Sequence, residues 1–140
     1  MRFGIDRLLA DAALRRPLAN RRVALLAHPA SITSDWRHSL DAIAATPDIR
    51  VTAAFGPQHG LRGDKQDNMI ESPDFFDPVH GIPIFSLYGE VRRPTAAMLE
   101  LIRRCDGTMS LRAGACRRRP SVAAGGGQMW LRMKIGRAHV

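Results

Sequence analysis

Three short apolar runs, Arg22 to Ala27, Arg50 to Phe55 and Ile82 to Leu87, are spaced along the chain with helix-like segments between them. Runs of this length bounded by turn residues have the pattern of buried strands, and strands alternating with helices fold as an α/β open sheet. The expected helices are a short one from Ile5 to Leu14, one from Asp35 to Ala45, and one from Thr95 to Arg104. The last has Met98, Leu99 and Ile102 at helical spacing, with Pro94 near its first turn. Ser31 or Thr33, with short hydroxyl side chains, is expected to cap the middle helix.

At 140 residues and 45% hydrophobic content, the chain has material for one modest domain at most. Its net charge of +8 is placed unevenly: Asp106 to Val140 holds seven basic residues and one acid, which leaves +2 for Met1 to Cys105. Past Cys105 the α/β pattern calls for a further central strand. The sequence instead offers Arg117-Arg118-Arg119-Pro120 and Ala123-Ala124-Gly125-Gly126-Gly127, so residues 106–140 are expected to form a basic tail of low order. A basic arm of this kind can engage a phosphate backbone, with an affinity that falls steeply with salt. The composition favours another origin. Sequence rich in Arg, Gly, Ala and Pro is what a GC-rich gene encodes out of frame, and Ile135-Gly136-Arg137-Ala138-His139-Val140 resembles a translated sequencing adapter. On that account residues 1–105 are the domain, and nucleic acid is not the expected partner.

Cys105 and Cys116 form neither a disulfide framework nor a zinc spacing, and Cys105 reads as a plain buried thiol. The N-terminus lacks a long apolar segment and no run approaches a membrane span, so the expected location is cytoplasmic.

The residues with chemical potential cluster after the second expected strand. Gly56 and Pro57 end that strand, and Gln58-His59-Gly60 follows directly, with Arg62, Asp64, Lys65, Asp67 and Glu71 in the same loop. A ligand at the carboxyl end of a strand is the usual arrangement in an open α/β sheet. Glycines there let a backbone approach that ligand closely. His28, at the end of the first strand, is placed to face the same cleft as His59. Tyr88, in Ser86-Leu87-Tyr88-Gly89, is either a packed aromatic or a wall for a sugar ring. His28, His59 and His80, with Asp67 or Asp77, lack the close spacing of a metal site, so no metal is expected. Ala27-His28-Pro29-Ala30-Ser31 stands where a dinucleotide fingerprint would, so no cofactor is expected either.

From about Phe3 to Arg104 the chain resembles the exo-β-N-acetylmuramidases of the NamZ type. The blocks that carry the resemblance are Arg22 to Ser31, Phe55-Gly56-Pro57-Gln58-His59-Gly60-Leu61-Arg62-Gly63, Gly81 to Gly89, and Arg93-Pro94-Thr95 leading to Met98-Leu99. The resemblance implies a Rossmann-like domain, the N-terminal part of a protein well over twice this length, with the expected next block lost where the pattern fails. It implies hydrolysis of terminal non-reducing N-acetylmuramic acid from peptidoglycan fragments in the full-length parent, with muramic-acid sugars or muropeptides as partners. The fragment by itself is expected to be inactive.

Glycoside hydrolysis needs a carboxylic acid to protonate the leaving oxygen. The family commonly has Glu at the position of Gln58, and an amide cannot transfer a proton as a carboxyl does. Glu71 is therefore the expected acid/base, with His59 orienting it or the sugar. Gln58, Arg62, His28 and Tyr88 are the expected substrate contacts, Arg62 suiting the lactyl carboxylate. The same glutamine also fits a subgroup with a changed substrate, or a domain that binds a glycan without cleaving it.

Overall fold

A computed structural model describes residues 2–63, 72–87, 93–113 and 129–135. Six strands form one sheet: β1 (Arg22–Leu26), β2 (Arg50–Pro57), β3 (Phe75–Asp77), β4 (Ile82–Leu87), β5 (Gly107–Ala113) and β6 (Met129–Ile135). Their order across the sheet is β3-β4-β2-β1-β5-β6. Every pairing is parallel except that of the edge strand β3 with β4. The chain builds outward from β1 through β2 to β4, then returns to the other side of β1 at β5. This is the doubly wound, Rossmann-like plan, with its topological switch between the carboxyl ends of β1 and β5.

The helices cover both faces, as a parallel sheet requires. Helices α1 (Gly4–Ala10) and α3 (Ser39–Ala44) supply Ile5, Leu8, Leu40 and Ile43 to one core, against Val23, Leu25, Ala54, Ile82, Ile84 and Met109 of the sheet. On the opposite face, Met98 of α4 (Ala96–Arg104) and Cys105 pack on Ala24, Ala53 and Phe55. The Phe55 and Phe85 rings stack at 5.3 Å. Thr95 caps α4 by accepting from the Met98 N–H, so Pro94 stands just outside the helix. Helix α2 (Ala12–Arg15) and a 3-10 turn (Arg16–Leu18) lead into β1. Cys105 is the buried thiol expected of it, its Sγ 3.3 Å from the Leu101 carbonyl.

Several expectations need correction. The sheet has six strands rather than three. Gly107–Ala113 supplies the further central strand that the α/β pattern calls for, pairing with β1 from Val23↔Gly107 to Leu26↔Ser110. Thr108 and Met109 are buried there. The middle helix begins at Ser39, not Asp35, and neither Ser31 nor Thr33 caps it. His38 does, its Nδ1 accepting from the Leu40 N–H. The reason is a tight hairpin over residues 32–38, closed by the Ile32–His38 bridge, which takes up the residues expected to start the helix.

Candidate functional site

The loops that follow β1 and β2 meet at the carboxyl edge of the sheet. Ala27 donates to the Phe55 carbonyl at 3.0 Å, and β2 runs two residues further, to Pro57. Beyond that point the His28 and His59 rings lie edge to face, 5.5 Å apart at 79°. Gly63 sits against Pro29, where an added Cβ would approach the proline Cβ to 3.2 Å. The pairing of two histidines far apart in sequence thus follows from adjacent parallel strands.

Each loop is fixed by its own polar groups. The Ser31 hydroxyl accepts from the His28 N–H at 3.0 Å, and the Ser31 N–H donates to the His28 carbonyl at 2.7 Å. Nδ1 of His28 accepts from the Ala30 N–H, which leaves Nε2 to carry the proton of the neutral ring. Loss of solvent around the ring, and then the neighbouring His59, push the His28 pKa below its ordinary value. His38 reaches the His28 carbonyl through Nε2 at 3.3 Å, and burial lowers its pKa as well. After β2, Gly60 turns the chain with φ of +90° and donates to the Pro57 carbonyl. The Gln58 carbonyl accepts from the Ser72 N–H at 2.7 Å, pinning the far end of the loop to its start.

Arg62 is held by Asp41 of α3: Nη2 donates to Oδ1 at 2.6 Å and Nη1 to Oδ2 at 2.8 Å. These bonds from the guanidinium keep the Asp41 carboxyl below the usual carboxylate range. The ring of His80 stands between two carboxylates, with Nδ1 at 2.7 Å from Asp77 Oδ2 and Nε2 at 3.2 Å from Asp41 Oδ1. Burial works to raise the Asp77 pKa, but the hydrogen bonds from His80 and the Val79 N–H outweigh it and the net direction is down. Asp77, His80, Asp41 and Arg62 thus join the β3–β4 turn, α3 and the loop after β2.

A recess lies beside this loop on the α3 face, between β2 and β4. Gly56, Gly60, Leu61, Ser72, Phe75 and Ser86 are among the residues lining it. Gly56 forms part of its floor, where a Cβ would come within 3.1 Å of Leu61. Trp36 tops the 32–38 hairpin with φ of +66° and is 83% exposed.

Of the residues read from sequence as the site, His28, His59, Gln58 and Arg62 come to one edge of the sheet. Glu71 and Tyr88 lie outside the described residues. Arg62 is engaged by Asp41, a partner with no signal in the loop's own sequence. His80 and Asp77 pair with each other away from the His28–His59 contact, and among the described residues no cluster of three ligands is shaped for a metal. Asp41 and Ser72 were not singled out from the sequence, because their contacts depend on packing between distant segments. Among the described residues no helix is long and apolar enough to cross a membrane.

Comparison with known proteins finds matches over more than half of the chain. Residues 23–105 match the family described as exo-beta-N-acetylmuramidase NamZ, N-terminal. The chain is 40% identical over 97 residues to the peptidoglycan beta-N-acetylmuramidase NamZ of Bacillus subtilis (strain 168), covering 69% of this chain and 23% of that protein. It is also similar to two crystal structures of DUF1343 family proteins from Bacteroides fragilis NCTC 9343. The first superposes with a TM-score of 0.61 at 29% identity, over 83% of this chain and 27% of that one. The second gives 0.52 at 25% identity, over 78% and 24%. The chain therefore spans about a quarter of the length of these relatives.

Proposed function

The chain belongs to the family of the exo-β-N-acetylmuramidase NamZ, whose N-terminal region it matches, and on that premise we propose that its carboxyl-edge cleft receives the terminal N-acetylmuramic acid of peptidoglycan fragments. In the whole protein the cleft would serve release of that sugar by hydrolysis. The observation that carries the reading is the contact of His28 with His59, which brings the two loops of the family-matched blocks together where an α/β sheet binds its ligands.

The roles follow from chemistry. Gln58 can hold a sugar hydroxyl through its amide but cannot shuttle a proton. Glu71, fourth-last in the chain of loop residues running to Asp74, is the carboxyl assigned to protonate the leaving oxygen, with His59 orienting it or the sugar. Arg62 is assigned to the lactyl carboxylate, its guanidinium set at the rim by Asp41. His28 and Tyr88 are assigned as further contacts to the sugar.

The second reading is a domain that binds muramic-acid sugars without cleaving them, and Gln58 in place of the usual glutamate favours it. A chromogenic β-N-acetylmuramide separates the two. Release of the chromophore by the full-length parent, lost in its Glu71→Gln variant while sugar binding persists, supports hydrolysis with Glu71 as acid. Turnover unchanged in that variant would dismiss the assignment, and binding without release by the full-length parent would establish the second reading.

A further inference from the structure

We propose that His38 is a positioning residue of the carboxyl-edge cleft: its neutral ring, set between the first turn of α3 and the loops after β1 and β2, orients the peptide that fixes the tautomer of His28, and a second proton on His38 releases the arrangement. This role depends on the geometry of the cleft and not on which sugar fills it.

Both ring nitrogens of His38 are engaged, although the residue is only half-buried. Nδ1 accepts from the Leu40 N–H at 3.3 Å, so the proton of the neutral ring sits on Nε2. Nε2 then donates to the His28 carbonyl at 3.3 Å, and the Leu61 carbonyl also favours a proton on the ring. One side chain thus meets the start of α3 and both loops that carry the candidate site. Serine, threonine, aspartate or asparagine is the usual N-cap, and each is shorter. The length of the imidazole is what lets this cap reach a second partner.

The His28 carbonyl is the only hydrogen-bonding handle on its peptide, because the next residue is Pro29, which brings no N–H. It accepts from the Ser31 N–H at 2.7 Å and from His38, which uses both of its lone pairs. The peptide plane held in this way directs the turn through Pro29 to Ala30, whose N–H donates to Nδ1 of His28 at 3.2 Å. The Nε2–H is then the hydrogen-bonding group that the His28 ring can offer a ligand, with the His59 ring 5.5 Å away.

A second proton on His38 reverses the cap. Nδ1 becomes a donor, and two N–H groups face each other at the start of α3. The charged groups that face the ring are Arg62 from the loop after β2, which opposes the added charge, and Asp41 from α3, which favours it; His28 meets it through its backbone carbonyl. Burial is the largest influence, so the folded ring takes its proton only below the ordinary value of 6.5. The contribution of the neutral ring to stability is therefore whole above pH 6.5 and is lost as pH falls from there to the folded value. Asp41 lies in the same first turn and grips Arg62, so loosening that turn also loosens the hold on the loop after β2.

The test reads histidine tautomers by two-bond nitrogen–proton NMR on the 140-residue protein. At about pH 8 both His28 and His38 should carry their proton on Nε2. As pH falls through the His38 titration, protection of the Leu40 amide against hydrogen exchange, corrected for the intrinsic rate, should drop by about fivefold, the scale of a lost N-cap. His38→Asn keeps an oxygen for the Leu40 N–H but is too short for the His28 carbonyl. Its melting midpoint should stay near that of wild type and its Leu40 protection should no longer follow pH, while His28 divides between both tautomers. His38→Gln, long enough to donate to the carbonyl, should restore the single Nε2–H tautomer at His28. His28 in one unchanged tautomer in His38→Asn overturns the positioning role, and Leu40 protection that ignores the His38 titration in wild type overturns the release. A proton on Nδ1 of either histidine in wild type at about pH 8 overturns both, whether or not the variants fold.

Discussion

Asp41 grips Arg62 through two nearly parallel contacts of 2.6 and 2.8 Å, and the same carboxylate lies 3.2 Å from the ring of His80. One side chain of α3 therefore ties the loop after β2 to the turn before β4. Both partners are partly open to solvent, with side-chain exposures of 45% and 34%, so the pair is worth about 0.5–1 kcal/mol rather than the value of a buried ion pair. A double-mutant cycle with Asp41→Asn and Arg62→Gln in urea should return a coupling energy of that size. Arg62→Lys should not restore it, because an ammonium cannot make the two-pronged contact. A coupling near zero would mean that the loop is held without this pair.

Trp36 adopts a left-handed backbone that an aromatic residue occupies only at a cost. The surrounding hairpin imposes it. Thr33 donates its N–H to the Arg37 carbonyl and accepts through Oγ1 from the Arg37 N–H, while Asp6 accepts from the Ser34 N–H. The indole itself is exposed and recovers little by packing. Trp36→Gly should therefore stabilise the protein by about 1 kcal/mol, the strain relieved outweighing the added freedom of the unfolded chain. Thermal melting of the two proteins checks this, and a lower midpoint for the glycine variant would show that the indole makes contacts that outweigh its strain.

Most of the sheet was legible because its buried strands are continuous apolar runs. Ile82–Leu87 was read with its observed bounds, and Arg50–Phe55 was short by the two residues, Gly56 and Pro57, that carry β2 to the loop. Phe75–Asp77 was missed, since three residues are too few to show a period. The strand that follows Cys105 was passed over for a different reason. Gly107–Ala113 alternates polar and apolar residues from Thr108 on, but the arginine-rich and glycine-rich sequence that follows it dominated the composition. In the site, His28 and His59 were legible as strand-end residues. Asp41 and His80 were not, because nothing local in α3 or in the β3–β4 turn announces a neighbour contributed by another loop.

Gly56 lies where β2 meets Leu61, and the position leaves no room for a side chain. A Cβ there would sit 3.1 Å from the Leu61 Cα, Cβ and Cδ1, so relief requires the backbone of the loop to move. Gly56→Ala should cost about 1–3 kcal/mol through overpacking. Because the displaced segment carries Gln58 and His59, sugar binding should weaken beyond what the lost stability explains. Chemical denaturation and binding measured on the same preparation separate the two effects, and a variant as stable as wild type would mean that Leu61 yields without cost.

Asp106 was read as the first residue of the tail, yet it closes the β1–β5 pairing from the sheet's other end. Its N–H donates to the Arg22 carbonyl at 2.8 Å, while its carboxylate accepts from the Arg22 N–H at 2.9 Å and from the Arg22 guanidinium at 3.2 Å. The side-chain bond to Arg22, followed by the backbone bond, lowers its pKa to about 2. A carboxyl whose folded pKa is depressed adds stability above its unfolded value, near 4, and loses that contribution as pH falls through the folded value. Stability from this pair should therefore be complete at neutral pH, decline between about pH 4 and pH 2, and be absent below. The difference in stability between wild type and Asp106→Asn should shrink over that same window. A carboxyl resonance of Asp106 that titrates near 2 by NMR would establish that the chain beyond Cys105 enters the sheet beside β1. Titration at the ordinary value near 4 would instead detach Asp106 from Arg22.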